Sequence, residues 1–249
     1  MNIKVLKNRD EIGRMAAHDA AEIIRNTTRE KGVANIILAT GTSQFEVLKH
    51  LAGRSDIDWS AVVLFHLDEY LDIPEDHPAS FRGYLKQRFI EKVGTLKEVN
   101  LINGQNRDVL SECKRLGEII AKVTIDLALV GIGENGHIAF NDPPADFKTE
   151  EPFIQVTLDL KCRQQQLGEG WFKTLEEVPD RAITMSVRQI LKSKHILCSV
   201  PDKRKALAVK NCLEQEESSL YPASALQNHP RCNLYLDHDS ASLLTRSRY

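Results

Sequence analysis

Apolar runs of strand length alternate along this chain with longer segments in which apolar residues recur every three or four positions. Continuous apolar runs of this length are typical of strands buried on both faces. They occupy residues 33–39, 61–67, 125–130 and 195–200, with shorter candidate strands at 2–6 and 153–158. The pattern therefore predicts a sheet built mainly from buried strands.

Helical periodicity fills most of the intervals between these runs. It predicts helices at residues 9–31, 45–51, 80–89, 109–122 and 187–191. Strands that alternate with helices predict a doubly wound α/β fold, in which a mostly parallel sheet carries helices on both faces. We find no repeat or low-complexity linker, so residues 1–249 are expected to form a single domain that ends in a polar tail at 237–249.

Composition limits the classes of function. The 33 basic and 35 acidic side chains give a net charge of −2, so no global field favours nucleic acid or an anionic membrane. The 5 cysteines are odd in number and form no C-x-x-C pair, which indicates reduced thiols in a cytoplasmic protein. No apolar leader or membrane-length run is present, so we expect a soluble protein that binds small molecules locally.

The glycine-rich segment 130–144 is the strongest candidate for an active-site loop. It follows a buried strand and places His137 near a strand's carboxyl end, where open α/β sheets bind their ligands. Asn135 and Asp142 are close enough in sequence to orient the imidazole. A histidine satisfied by its own loop is the plain structural alternative.

The glycines of this segment match the spacing of a dinucleotide-binding fingerprint, with Gly131, Gly133 and Gly136 after a strand. That fingerprint requires a helix to open at its third glycine. Pro143 and Pro144 follow too soon for such a helix, so we reject a nicotinamide cofactor.

A second candidate loop, Thr40, Gly41, Thr42 and Ser43, joins the strand at 33–39 to the next predicted helix. Free N–H groups at a helix N-terminus, together with hydroxyl groups, bind anions such as phosphate. No Walker lysine follows, so a nucleoside triphosphate is not implied. A simple helix cap formed by one of the hydroxyls explains the same residues.

Two acids, Asp68 and Glu69, follow the strand at 61–67. Carboxylates at a strand's carboxyl end suit acid–base catalysis, whereas capping or pairing in a turn is the structural alternative. His66, Asp68, His137 and Asp142 could supply metal ligands by composition. They lack ligand spacing on any one element, so we expect no metal.

Three cations follow Asp202 at the start of a predicted helix: Lys203, Arg204 and Lys205. Cations at a helix N-terminus oppose the helix dipole, and a bound anion shared among them would relieve that conflict. A solvated basic turn is the alternative.

Taken together, these stretches resemble the glucosamine-6-phosphate deaminase (isomerase) family, and the resemblance runs nearly end to end. It is carried by LATGT at 38–42, LDEY at 67–70, HPAS at 77–80, GIGENGHIAFNDP at 131–143, KA at 205–206 and PASAL at 222–226. The related 6-phosphogluconolactonases share the glycine–histidine core. The continuation after His137 and the acidic stretch at 68–70 are more similar to the deaminases.

The resemblance implies a Rossmann-like, three-layer fold and the conversion of glucosamine 6-phosphate and water to fructose 6-phosphate and ammonia, with no metal or organic cofactor. By the same resemblance Asp68 is the general base. His137 opens the sugar ring, and Asn135 and Asp142 orient it.

The resemblance also implies the residues that bind the sugar phosphate. Residues 40–43 and Lys205 match phosphate-binding positions, and we include Glu69 and Gly136 among the substrate-binding residues. Where the family has an arginine before an aromatic pair, this chain has Glu169 and Gly170. We expect Arg163 to replace that arginine.

Other departures leave alternatives open. Asn135 and Asp142 stand where many members have Asp and Glu. Galactosamine 6-phosphate, a lactonase reaction or a non-catalytic sugar-phosphate regulator therefore remain alternatives. Allosteric members have serine, arginine and lysine after the Asn-Glu-Pro turn, but here acids occupy residues 146, 150 and 151, so we expect hyperbolic kinetics that N-acetylglucosamine 6-phosphate leaves unchanged. The oligomeric state, monomer or homo-oligomer, is not predicted.

Overall fold

The computed structural model describes residues 1–245, so the last four residues of the predicted polar tail lie outside the described residues. Ten strands are defined in this part of the chain. They are β1 (Asn2–Leu6), β2 (Ala34–Leu38), β3 (Val62–His66), β4 (Asp68–Tyr70), β5 (Glu98–Asn100), β6 (Leu127–Val130), β7 (Phe153–Thr157), β8 (Arg181–Met185), β9 (His195–Val200) and β10 (Cys232–Asp237).

Helices fill most of the intervals between the strands, as the apolar periodicity predicts. They are α1 (Arg9–Lys31), α2 (Phe45–Ala52), α3 (Phe81–Leu85), α4 (Glu91–Val93), α5 (Val109–Ile120), α6 (Leu160–Gly168), α7 (Val187–Leu191) and α8 (Ala206–Glu214). A π-helical turn, Lys86–Ile90, joins α3 to α4, and short 3₁₀ turns precede α2 and α8. None of the helices described between residues 1 and 245 has the length and apolarity needed to cross a bilayer.

A parallel sheet of 7 strands forms the centre, in the order β1-β10-β9-β6-β2-β3-β5. From β2 the chain moves outward to β3 and β5, and it then returns to place β6 on the other side of β2. This reversal leaves a crevice between the loops that follow β2 and β6, which is where open α/β sheets bind ligands. The doubly wound fold is confirmed.

Alternate residues of β2 enter separate cores on the two faces of the sheet. Ile36 and Leu38 pack in the core that includes α1 and α2, whereas Ile37 packs in the core that includes α5 and α8. Side chains of a strand alternate between faces, so a strand covered on both sides must be apolar throughout. This requirement explains the continuous apolar runs in the sequence.

A second sheet of 3 antiparallel strands, in the order β4-β8-β7, lies beside the first. Its strands help to enclose a small core that contains Tyr70, Phe140 and Phe172. β4 begins at Asp68, which pairs with Thr184 of β8. The small sheet therefore fixes the backbone of Asp68, the predicted general base.

Candidate active site

A cavity opens between the loops that follow β2 and β6, beside the junction of β3 and β4. It brings together seven of the predicted site residues: Thr40, Gly41, Thr42, Ser43, Asp68, His137 and Lys205. Its remaining walls include Gln44, Leu67, Phe81, Gly131, Ile132, Gly133, Ala139, Phe140, Gln165, Gln166 and Glu169.

His137 is held by its own loop in one orientation. Its backbone N–H donates to Asn135 Oδ1, and its carbonyl accepts from the N–H of Gly133. Its ring Nδ1 lies 3.0 Å from Asp142 Oδ1, which engages that nitrogen and leaves Nε2 for a ligand. With 7% of its surface exposed, the imidazole is shielded from bulk water.

Asp142 is in turn held by three donors. Oδ1 accepts from Asn135 Nδ2 as well as facing the imidazole, and Oδ2 accepts from the backbone N–H of Asp159. Burial favours the protonated acid, but the hydrogen bonds from His137 and Asn135 outweigh it and lower the pKa of Asp142. The ionised carboxylate can therefore stabilise a positive charge on His137.

Gly133 packs directly against the imidazole. A Cβ at this position would lie 2.1 Å from His137 Nε2, which no side chain could tolerate without displacing the ring. The glycine is thus required by close packing with the histidine, a role that the dinucleotide fingerprint does not describe. Gly136, in contrast, is absent from the cavity wall and turns the loop with φ of +89°.

Asp68 lies at the start of β4 with 6% of its surface exposed, and it lines the cavity. Burial, followed by the neighbouring charge of Glu69, raises the pKa of Asp68 to about 8. A carboxylate with a pKa close to the working pH both accepts and returns a proton efficiently. This environment suits a general base.

Glu69 occupies a different position from the one expected. Its side chain is fully buried and is absent from the cavity wall. Oε1 accepts from the N–H groups of Tyr70 and Phe81, and Oε2 accepts from Ser80 Oγ and from both N–H and Nε of Arg82. Here the carboxylate anchors the start of α3, as the capping alternative described.

The loop at 40–44 faces the cavity through polar groups that lack protein partners. Thr40 Oγ1 and Gln44 Oε1 are buried and have no hydrogen-bond partner among the described residues. Gln44 Nε2 donates to the carbonyl of Val130 and to Ser43 Oγ, which ties this loop to the start of the histidine loop. Buried polar groups left open in this way indicate a ligand.

Of the three cations before α8, Lys205 alone reaches the cavity wall. It is 6% exposed, and its Nζ forms no hydrogen bond or ion pair with residues 1–245. Arg204 instead pairs with Asp202 and Glu134, while Lys203 lies at the surface. Burial lowers the pKa of Lys205, so a bound anion would stabilise its charged form.

Arg163 points away from the cavity. Its Nη2 donates to the carbonyls of Leu175 and Val178, and its Nε donates to Val178 again. These bonds hold the segment after α6 in place and use most of the guanidinium's donors. The geometry therefore provides no support for Arg163 as the replacement for the missing arginine.

Sequence reasoning missed the wall that α6 and the residue after it contribute, through Gln165, Gln166 and Glu169. Gln166 Oε1 is buried without a partner within the described part of the chain. Gln165 Nε2 donates to Glu169 Oε1 at 3.2 Å, and burial raises the pKa of Glu169. The four-residue spacing of Gln165 and Glu169 could have indicated a shared helix face.

One group of side chains at the site has metal-ligand spacing. Ligand atoms of His137, Asp142 and Cys162 all lie within 4.8 Å of one another. Burial raises the pKa of the Cys162 thiol well above its usual range, and Asp142 already accepts three hydrogen bonds. His66 is fully buried and is absent from the cavity wall, so the set weighed from the sequence is not assembled.

Fold and site together define a doubly wound α/β protein whose cavity combines an acid–base pair with an anion-binding wall. Residues 7–234 match the model of the family described as glucosamine-6-phosphate isomerases/6-phosphogluconolactonase. The chain therefore belongs to that family.

Individual relatives agree with this assignment. The glucosamine-6-phosphate deaminase of Thermoanaerobacter pseudethanolicus is 34% identical over 98% of this chain and 95% of its own length. A solved monomeric glucosamine-6-phosphate deaminase superposes with a TM-score of 0.88 at 31% identity, covering 98% of this chain and 100% of its own. A putative 6-phosphogluconolactonase from Neisseria gonorrhoeae, 17% identical with a TM-score of 0.75 over 95% of this chain and 99% of its own, shares the fold.

Proposed function

We propose that this protein converts glucosamine 6-phosphate and water to fructose 6-phosphate and ammonia. The observation that carries the proposal is the meeting, in one cavity, of Asp68, of His137 held by Asp142, and of an anion-binding wall. The deaminase relatives at 31% and 34% identity support the choice of reaction.

The anion-binding wall would hold the phosphate. Residues 40–43 offer hydroxyls and the N–H groups of the turn that leads into α2, and Lys205 adds a buried charge without a protein partner. Charge-assisted hydrogen bonds of this kind are about twice as strong as neutral ones. The phosphate thereby fixes the position of the sugar.

His137 would open the ring. With Nδ1 engaged by Asp142, Nε2 takes the proton of the C1 hydroxyl and delivers it to the ring oxygen as the C1–O5 bond breaks. The ionised Asp142 stabilises the imidazolium that forms between these two transfers. The open-chain aldehyde is then available to Asp68.

Asp68 would move a proton from C2 to C1. Removal of the C2 proton, with transfer of a proton from the substrate's ammonium group to O1, gives an enolamine, and return of the C2 proton to C1 gives a protonated ketimine at C2. Water adds to the ketimine carbon, the C–N bond breaks, and the products are ammonia and the C2 ketone of fructose 6-phosphate. The raised pKa of Asp68, about 8, lets one carboxyl group perform both proton transfers.

Ammonia release from a panel of sugars tests this proposal. The panel contains the 6-phosphates of glucosamine, galactosamine and mannosamine, with unphosphorylated glucosamine as the ligand control. We expect turnover of glucosamine 6-phosphate and a loss of at least about 10³-fold in Asp68→Asn, whose affinity for fructose 6-phosphate stays within about tenfold. Turnover that survives in Asp68→Asn, or a preference for another sugar phosphate, would contradict the proposal.

A further inference from the structure

An acid lies in the wall that is expected to bind the phosphate. Glu169, immediately after α6, lines the same cavity as residues 40–43 and Lys205. The side chain is half-buried in the cavity wall, and one carboxylate oxygen, Oε1, accepts a hydrogen bond from Gln165 Nε2. Oε2 has no hydrogen-bond partner within residues 1–245.

The charges around Glu169 come from several elements. Lys205 and Arg204 lie on the turn before α8, and His137 lies on the loop after β6; all three act on the carboxylate at a distance. Neither Lys205 nor Arg204 forms an ion pair with Glu169 among the described residues; Arg204 pairs with Asp202 and Glu134 instead. Glu169 is therefore an acid near cations without a direct ion pair, and burial is the largest influence on its pKa, which is raised.

A phosphate that enters this cavity shifts the protonation equilibrium of Glu169. The dianion offsets the positive charge of Lys205 and adds a negative charge close to the carboxylate. Both effects favour the protonated acid, as when two carboxylates share one site. A protonated Glu169 can then donate an O–H···O bond to a phosphate oxygen, which is among the shorter and stronger hydrogen bonds.

We propose that Glu169 is a specificity-determining residue that must itself be protonated for the phosphate end of the sugar to bind. Binding therefore takes up one proton from solvent. This inference rests on the proposed function, because it places the phosphate between residues 40–43 and Lys205. The proton resides on Glu169 while the ligand is bound and returns to solvent when the ligand leaves.

Calorimetric binding of fructose 6-phosphate tests the inference without turnover. Titrations at pH 8 in two buffers of different ionisation enthalpy count the protons exchanged on binding. We expect the wild type to take up about one proton more than Glu169→Gln. Glu177→Gln is the matched control, because Glu177 is exposed and lies outside the cavity wall.

Affinity provides a second readout. If the protonated form is the competent one, the Kd of the wild type rises about tenfold for each pH unit above the pKa of Glu169. The Kd of Glu169→Gln stays nearly constant between pH 7 and pH 9 and falls below the wild-type value at pH 9. Glu177→Gln follows the wild type.

The outcomes are distinguishable. Equal proton uptake in wild type and Glu169→Gln, or weaker binding by Glu169→Gln at pH 9, overturns the inference and leaves the proposed function standing. Absence of fructose 6-phosphate binding by the wild type and by both variants overturns the phosphate site and the proposed function together.

Discussion

The protonation state of Asp68 is set by its surroundings. An ordinary aspartate is too weak a base at neutral pH, but burial and the adjacent charge of Glu69 raise the pKa of Asp68 to about 8. Since the base must be ionised to accept the C2 proton, activity depends on the fraction of Asp68 that is deprotonated.

We therefore expect kcat for glucosamine 6-phosphate to rise with pH through about 8 and to fall roughly tenfold for each pH unit below that value. The measurement is kcat at saturating substrate from pH 6 to pH 9.5. This separates the effect from the opposite trend expected for affinity at Glu169. A kcat that is constant over this range would show that Asp68 titrates elsewhere or is not the base.

Gly133 offers a steric test of the histidine's position. A Cβ there would lie 2.1 Å from His137 Nε2, so Gly133→Ala should displace the imidazole and lower kcat by about 10²-fold or more. Gly168→Ala is the control, since a Cβ at that position meets no atom within 4 Å. Steady-state kinetics together with circular dichroism distinguish a displaced imidazole from misfolding. Full activity in Gly133→Ala would contradict this packing.

At the scale of elements, the start of α3 depends on a buried carboxylate from β4. Glu69 accepts from the N–H groups of Phe81 and Arg82 and from the Ser80 hydroxyl, so it joins the small sheet to the helix. Removing one charge of a buried, hydrogen-bonded pair leaves the other charge uncompensated, in this case that of Arg82.

We expect Glu69→Gln to lower the free energy of unfolding by about 3 kcal/mol, whereas Glu91→Gln, on the exposed part of the following helix, changes it by less than about 0.5 kcal/mol. Urea unfolding followed by circular dichroism measures both. If Glu69→Gln retained wild-type stability but raised KM sharply, Glu69 would contact substrate as first expected.

Lys205, on the turn before α8, and Arg163, in α6, are the two candidate side chains for binding the phosphate. We expect Lys205→Ala to raise KM by about 10- to 150-fold, the loss of one charge-assisted hydrogen bond of roughly 1.5–3 kcal/mol. Arg163→Ala should change KM by less than about threefold and lower thermal stability, because its guanidinium binds the carbonyls of Leu175 and Val178. A KM that rises in Arg163→Ala and stays unchanged in Lys205→Ala would show that Arg163 binds the phosphate.

At the scale of the whole molecule, the acids that follow residues 130–144 would disfavour binding of a phosphorylated effector. Asp146 caps the N–H groups of Lys148 and Thr149, and Glu150 pairs with Arg188. A phosphate would meet negative charge in this region, and cooperative kinetics require coupling between distinct sites.

We therefore expect hyperbolic kinetics that N-acetylglucosamine 6-phosphate leaves unchanged. Initial rates over a substrate series, with and without this effector at matched ionic strength, provide the measurement. A sigmoidal curve that the effector makes hyperbolic would contradict the expectation and indicate a phosphate site in this region.

The sequence by itself determined the large sheet and the residues at its edge. Strands buried on both faces must be apolar throughout, and the carboxyl ends of parallel strands meet at one edge. Residues that follow separate strands, such as Thr40, Asp68, His137 and Lys205, could therefore be expected to lie together. The structure places all four on one cavity wall.

Tertiary structure alone decided which neighbouring residues face the cavity. Asp68 and Glu69 are adjacent, yet pairing of β4 with β8 directs Asp68 to the cavity, while Glu69 meets residues 80–82. α6 is polar and gives a weak periodic signal, so the positions of Glu169 and Arg163 depend on packing against distant loops. Such contacts join residues far apart in the chain, and local periodicity contains no information about them.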